Sequence, residues 1–267
     1  MAGAIFKEVL RRSWRQVLYW GIGTSLLIVY VTVLLGDSEM LAAYTDMLSK
    51  MPTGFMEIFG LNPDTLGTVE GYLAWAVFSY AALIIAVFAV IAGLNVTANE
   101  EDAGIMDVLL SLPVPRWRVV IEKLAAYSVM LVGIVAMSFV ALVLAEQTTE
   151  YSVETGLLFQ GFLNMIPLNL FVMAFTAFVS ALVRGRNTAA VIAIVFVIAS
   201  YLIDSIGGML GGGISDVLRQ LSIFHYFDPE PVLHTGLAWP NFLGLLAAAA
   251  LLLGGSLWAF NRRDVGL

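Results

Sequence analysis

Three consecutive carboxylates, Glu100, Glu101 and Asp102, open a stretch that closes on Pro113, Pro115, Arg116 and Arg118 and lies between two long apolar runs. Adjacent acids can act as general acid and base or hold a metal, but either chemistry needs further groups converging on the same point. The two histidines, His225 and His234, lie far downstream without the spacing of a metal-binding helix, and there is no cysteine. No Gly-x-Ser-x-Gly elbow occurs, and no lysine follows a glycine, so the sequence has neither that nucleophile turn nor a Walker loop for ATP. The residue types therefore assign no catalytic group, no metal and no bound cofactor to this chain. What remains open to the stretch is recognition of another surface.

The acids occupy a first helical turn, where they complement the positive helix end, and Pro113 ends the helix because its ring cannot be accommodated in the interior. A helix from Glu100 to Leu112 follows, roughly 20 Å long at 1.5 Å per residue. Ile105, Met106, Leu109 and Leu112 share one face, and Glu101, Asp107 and Ser111 lie elsewhere. Two readings fit this pattern. The helix either only turns the chain between two spans, or it is a docking surface whose apolar face meets a soluble partner.

The elements that carry this helix are membrane spans. The chain has 267 residues, of which 60% are hydrophobic and 12% charged, and its mean hydropathy is +0.90. Apolar runs of about 20 residues suit helices crossing about 30 Å of hydrocarbon, and the short alternating strands of an outer-membrane barrel are missing. The predicted fold is an all-α membrane protein, a single transmembrane domain over residues 1–267 with six spans. A formal net charge of -7 argues against nucleic acid as a partner. The first fifteen residues are too polar for a cleavable signal peptide, so insertion rests on the first span.

In chain order, Ile5, Phe6, Val9, Leu10, Trp14, Val17 and Leu18 face opposite Lys7, Glu8, Arg11, Arg12 and Arg15. That pattern predicts an interfacial helix over 1–16 lying in the headgroup region, or else a charged lead-in to the first span. Span one covers about Val17 to Leu35. A short surface helix around Met40 to Met51 and a turn-rich stretch from Pro52 to Asp64 follow. Spans two to five cover about Tyr72 to Val96, Leu124 to Ala145, Thr155 to Val183, and onward from Thr188. Asp204 and the glycines from Gly207 to Gly213 then interrupt the apolar run. Broken helix at membrane depth must be shielded by protein or line water, so residues 204–235 read as one or two re-entrant helices, with a glycine-rich external loop as the alternative. Span six covers about Trp239 to Phe260.

All of the 13 basic residues except Lys50 and Arg219 fall on one side of this layout. The positive-inside rule then places both termini and the central helix in the cytoplasm. The spans as drawn hold no Asp, Glu, Lys, Arg or His, which removes the ionisable groups that proton- or ion-coupled transport needs at depth. Their polar groups include Gln160, Asn164 and Asn169, which share span four with Pro167. These amides either glue helices together or line a cavity beside a kinked helix.

The order of residues from Glu100 to Arg116 resembles the cytoplasmic coupling helix of type-2 ABC exporter permeases, E-x-x-x-G-T-L-D-x-L-L-S-x-P-V-S-R. Glu100, Gly104, Asp107, Leu109, Leu110, Ser111, Pro113, Val114 and Arg116 match; Ile105 and Met106 replace Thr-Leu, and Pro115 replaces Ser. The span count, the amphipathic N-terminus and the broken region before span six have the same layout. The resemblance implies a permease in the cell membrane that pairs with a second permease, as a homodimer or heterodimer, and with two separate ATPase subunits holding ATP and magnesium. Glu100, Glu101, Gly104, Ile105, Met106, Asp107, Leu109, Leu110, Ser111, Pro113 and Arg116 would dock the ATPase. A neutral, aromatic and Met-rich interior suits export of an apolar or amphipathic substrate. A non-transporting membrane scaffold and an intramembrane enzyme are the competing classes, the second opposed by the missing catalytic groups.

Overall fold

In a computed structural model, the described residues are 3–34, 68–96, 115–150, 152–183, 185–209 and 213–262, with a few positions between 36 and 52. All the regular elements among them are helical. They are α1 (Ala4–Leu34), α2 (Val69–Val96), α3 (Arg116–Glu146), α4 (Thr155–Leu182), α5 (Arg186–Met209), three short helices α6 (Gly213–Leu221), α7 (Ile223–Phe227) and α8 (Pro229–Thr235), and α9 (Trp239–Arg262). Six of these, α1 to α5 and α9, are long and apolar enough to cross a membrane.

Helices α2 and α4 form the centre of the bundle, with 67% of the apolar window of each buried, against 22% for α1 and for α5. Lipid tails are as apolar as leucine, so helix association rests on close packing and on hydrogen bonds rather than on a hydrophobic drive. Small residues sit at the crossings accordingly. A Cβ on Gly21 of α1 would lie 2.5 Å from Met137 Sδ of α3. One turn further along, Thr24 Oγ1 and Ser138 Oγ share a buried hydrogen bond of 3.0 Å. Between α9 and α4, Ser256 Oγ donates to the Ala177 carbonyl at 3.2 Å, and a Cβ on Gly255 would lie 2.9 Å from the Phe178 ring.

Three expectations change. First, the amphipathic N-terminal segment is not a separate element: Ala4–Leu34 is one unbroken helix of 31 residues. An in-plane segment followed by a span requires a break, and instead the face carrying Val9, Leu10 and Val17 packs on the core along with the rest of α1. Trp14 and Leu18, expected on the same face as those residues, are exposed. Second, Asp204 and Gly207 do not interrupt span five, because α5 continues to Met209, and Asp204 thereby falls inside a spanning helix that was expected to hold no ionisable group. Gly207 is accommodated there as a packing site, since a Cβ on it would lie 2.5 Å from Cγ of Arg219. Third, the region after it holds three short helices among the described residues where one or two were expected. The surface helix expected near 40–51 falls largely outside the described residues, and the turn-rich stretch after it falls almost entirely outside them.

Candidate functional site

The stretch expected to dock a partner falls outside the described residues from Glu100 through Pro113, and of Arg116 only the backbone, as the first residue of α3, is described. The structure describes what holds its two ends. Helix α2 enters it at Val96, and α3 leaves it after Pro115, which sits in extended conformation at the N-cap, a position where its missing N–H costs nothing.

These two arms are fastened to each other. Lys123 of α3 is 3% exposed, and its ammonium donates to the Val96 carbonyl at 3.2 Å. The last carbonyls of a helix have no partner within it and carry the negative end of the helix dipole, so a cation is the group that suits them. The preceding residue makes the complementary contact. Glu122 Oε1 accepts from the Gly3 amide at 3.0 Å, and Oε2 accepts from the Ile5 and Phe6 amides at 3.1 and 3.2 Å. A carboxylate thus caps the positive end of α1 from more than a hundred residues away, and Arg118 Nε holds it in place at 2.8 Å. Two consecutive residues, Glu122 and Lys123, tie the start of α1 and the end of α2 to the start of α3.

From this junction α2 is interlocked with α4 along its length. A Cβ on Gly93 would lie 2.6 Å from the Met173 carbonyl oxygen and 3.1 Å from the Ala177 nitrogen, so the two backbones are in contact. At the other end, the Phe78 ring sits where a Cβ of Gly161 would be, with Cε1 at 2.4 Å from that point, and it meets Phe162 with ring centroids 4.9 Å apart. Phe78 lies in a π-helical segment, Ala74–Ser79, in which Ser79 Oγ donates back to the Ala74 carbonyl at 3.0 Å. Such segments shift the side-chain register of a helix and occur often at functional sites. Here the shift lies within the stretch that carries Phe78 onto Gly161.

The three span-four amides are placed as follows. Gln160 Oε1 accepts from the Leu237 amide at 2.9 Å. Asn164 is 3% exposed and donates Nδ2 to the Phe227 carbonyl. Asn169 is fully buried and donates Nδ2 to the Met165 carbonyl at 2.9 Å, one turn back in the helix that contains Pro167. Asn164 therefore fastens α4 to the end of α7, Gln160 fastens it to the link between α8 and α9, and Asn169 bonds within its own helix.

That region is also bound to α5. Ser222 Oγ donates to the Ser200 carbonyl at 2.7 Å, and the Ile223 amide donates to Ser200 Oγ at 2.9 Å. Beside this clasp, Arg219 Nε and His225 Nδ1 lie 3.7 and 4.0 Å from Asp204 Oδ1. Phe224, Phe227, Val232 and Leu233 are all buried.

Glu122, Lys123, Ser200 and Ser222 were not singled out as site residues from the sequence. A signal for the first two existed in the opposite charges set side by side at the edge of a span, with Arg118 four residues before Glu122. The serine clasp leaves no such mark.

A protein-family model described as "ABC-2 family transporter protein" matches residues 4–265. No curated protein matches the sequence.

Proposed function

This chain belongs to the ABC-2 family of transporter proteins and is a multi-pass membrane permease subunit of an ABC transporter; from that premise we propose that it exports an apolar or amphipathic substrate from the cytoplasm. Permeases of this family work with ABC ATPase subunits in general. In this reading two such subunits bind and hydrolyse ATP with magnesium, and this chain contributes no catalytic group. A second permease, identical or related, completes the path. The chain lies in the cell membrane with both termini in the cytoplasm, and residues 204–235 lie toward the exterior with their short helices at membrane depth.

The docking element is the helix Glu100 to Leu112. ATP-driven closure of the ATPase pair pushes it, and its two arms transmit the push. The observation that carries this reading is the buried bond from Lys123 to the Val96 carbonyl. Without a fastening there, a push between the arms would spread α2 from α3 and be lost. With it, α2 and α3 move together, and the backbone contact at Gly93 passes the motion to α4. The polar ties from Gln160 and Asn164 carry it onward to the region through which substrate leaves.

The reading is tested in inside-out vesicles containing the chain and its ATPase, with an amphipathic cationic dye as probe. ATP-dependent uptake of dye that stops on adding vanadate, and that is missing from vesicles with the ATPase alone, supports export. Dye movement that does not depend on ATP, or that runs the other way across the vesicle membrane, overturns it.

A further inference from the structure

We infer that the first four turns of α1 form a binding surface for anionic phospholipid headgroups in the leaflet on the N-terminal side of the membrane. The inference rests on membrane placement alone and not on the ATPase reading.

Helix α1 is unbroken over 31 residues, or about 46 Å at 1.5 Å per residue. Hydrocarbon takes about 30 Å of that, and a headgroup layer adds about 5 to 7 Å on each side. With Leu34 at the far boundary, the near boundary falls close to Trp14. Arg11 and Arg12 fall in the next 5 to 7 Å, and Arg15 stands at the boundary itself beside Trp14. All three are exposed, as is Lys7 one turn further out.

The exposed face changes chemistry at that boundary. On the hydrocarbon side it shows Tyr19, Ile22, Leu26 and Tyr30, with Tyr19 at 73% and Leu26 at 65% exposure. On the other side the same face shows cations. Arg11 has Glu8 at 3.0 Å, whereas Lys7, Arg12 and Arg15 have no ion pair among the described residues. Between the two zones stands Trp14, half exposed, with the Arg15 guanidinium 5.7 Å from its ring. An indole at the headgroup level beside an arginine meets both parts of a phospholipid, the glycerol region and the phosphate.

The same pairing recurs at the end of α9. Trp258 is 56% exposed, and the exposed Arg262 lies 4.5 Å from its ring centroid. First and last spans thus each present an exposed Trp with an Arg beside it. A soluble anion would find the cations of α1 equally, but not the apolar stripe that continues them, and this continuity assigns the surface to lipid.

The test uses the full chain in nanodiscs of phosphatidylcholine doped with spin-labelled phosphatidylglycerol or spin-labelled phosphatidylcholine, reading the motionally restricted fraction of each. Wild type should hold the anionic label about fivefold more strongly than the neutral one, with the preference falling as salt is raised. Arg11→Gln, Arg12→Gln, Arg15→Gln together should bring the ratio close to one. The triple Lys variant at the same positions should keep the preference, which separates lost charge from lost fold. An equal ratio in wild type, or an unchanged ratio in the Gln variant, overturns the inference. So does loss of ATPase co-purification in the Gln variant with the lipid preference intact, since the basic face would then belong to the ATPase.

Discussion

The ammonium of Lys123 and the main-chain carbonyl of Val96 are joined by a buried hydrogen bond of 3.2 Å. It links the two helices between which residues 97–114 run. A cation at a helix C-terminus satisfies carbonyls that the helix cannot satisfy itself.

Lys123→Met keeps the length and apolar stem of the side chain and removes the charge and its donors. A hydrogen bond to a charged group contributes about 1.5 to 3 kcal/mol, so the variant should unfold at a visibly lower temperature in detergent. If the clamp transmits motion, the variant should also hydrolyse ATP with less transport per ATP. Unchanged stability and unchanged coupling together would remove the clamp from the account.

Gly93 and Gly23 make a matched pair of substitutions. A Cβ at Gly93 would lie 2.6 Å from a carbonyl oxygen of α4, whereas one at Gly23 would have nothing within 4 Å. Gly93→Ala should destabilise by about 1 to 3 kcal/mol, as overpacking against backbone does. Gly23→Ala should be neutral or stabilising by up to about 1 kcal/mol. Thermal midpoints of the two variants check this, and equal midpoints would contradict the backbone contact between α2 and α4.

Glu122→Gln leaves the shape of the side chain but takes the charge from three amides at the start of α1. Capping and dipole effects of this kind contribute about 0.5 to 2 kcal/mol. The loss should be local. Hydrogen exchange should speed up at Ile5 and Phe6 and stay unchanged near Ile28, where α1 is packed in the core.

The parts of this molecule that were legible in the sequence are those governed by one-dimensional patterns. Runs of apolar residues near the length of a bilayer gave six spans, and the structure has six helices of that kind. The amphipathic pattern of Ala4 to Leu18 was read as an in-plane helix because basic residues opposite Trp and Phe fit a membrane surface. A helix that crosses the membrane and projects beyond it carries the same pattern, and only the unbroken backbone to Leu34 separates the two. Gly207 was read as a break because glycine is a poor helix former. Its role in packing depends on Arg219, which reaches it only through the tertiary fold. The polar ties of Glu122 to α1 and of Asn164 to Phe227 join residues 117 and 63 positions apart, a separation no local spacing reveals. The stretch from Glu100 to Arg116 was legible as a family pattern, and all of it before Pro115 lies outside the described residues.

The central claim is that residues 100–112 dock an ATPase, and the most direct test is co-purification. The full chain, solubilised from its own membranes, is captured alongside a Met106→Asp, Leu109→Asp double variant, and ATP hydrolysis and subunit masses are measured in both eluates. The account predicts an ABC ATPase with vanadate-sensitive activity in the wild-type eluate and its loss from the variant, with the two permeases showing the same thermal midpoint. An ATPase that comes down equally with both would contradict the docking role of this helix.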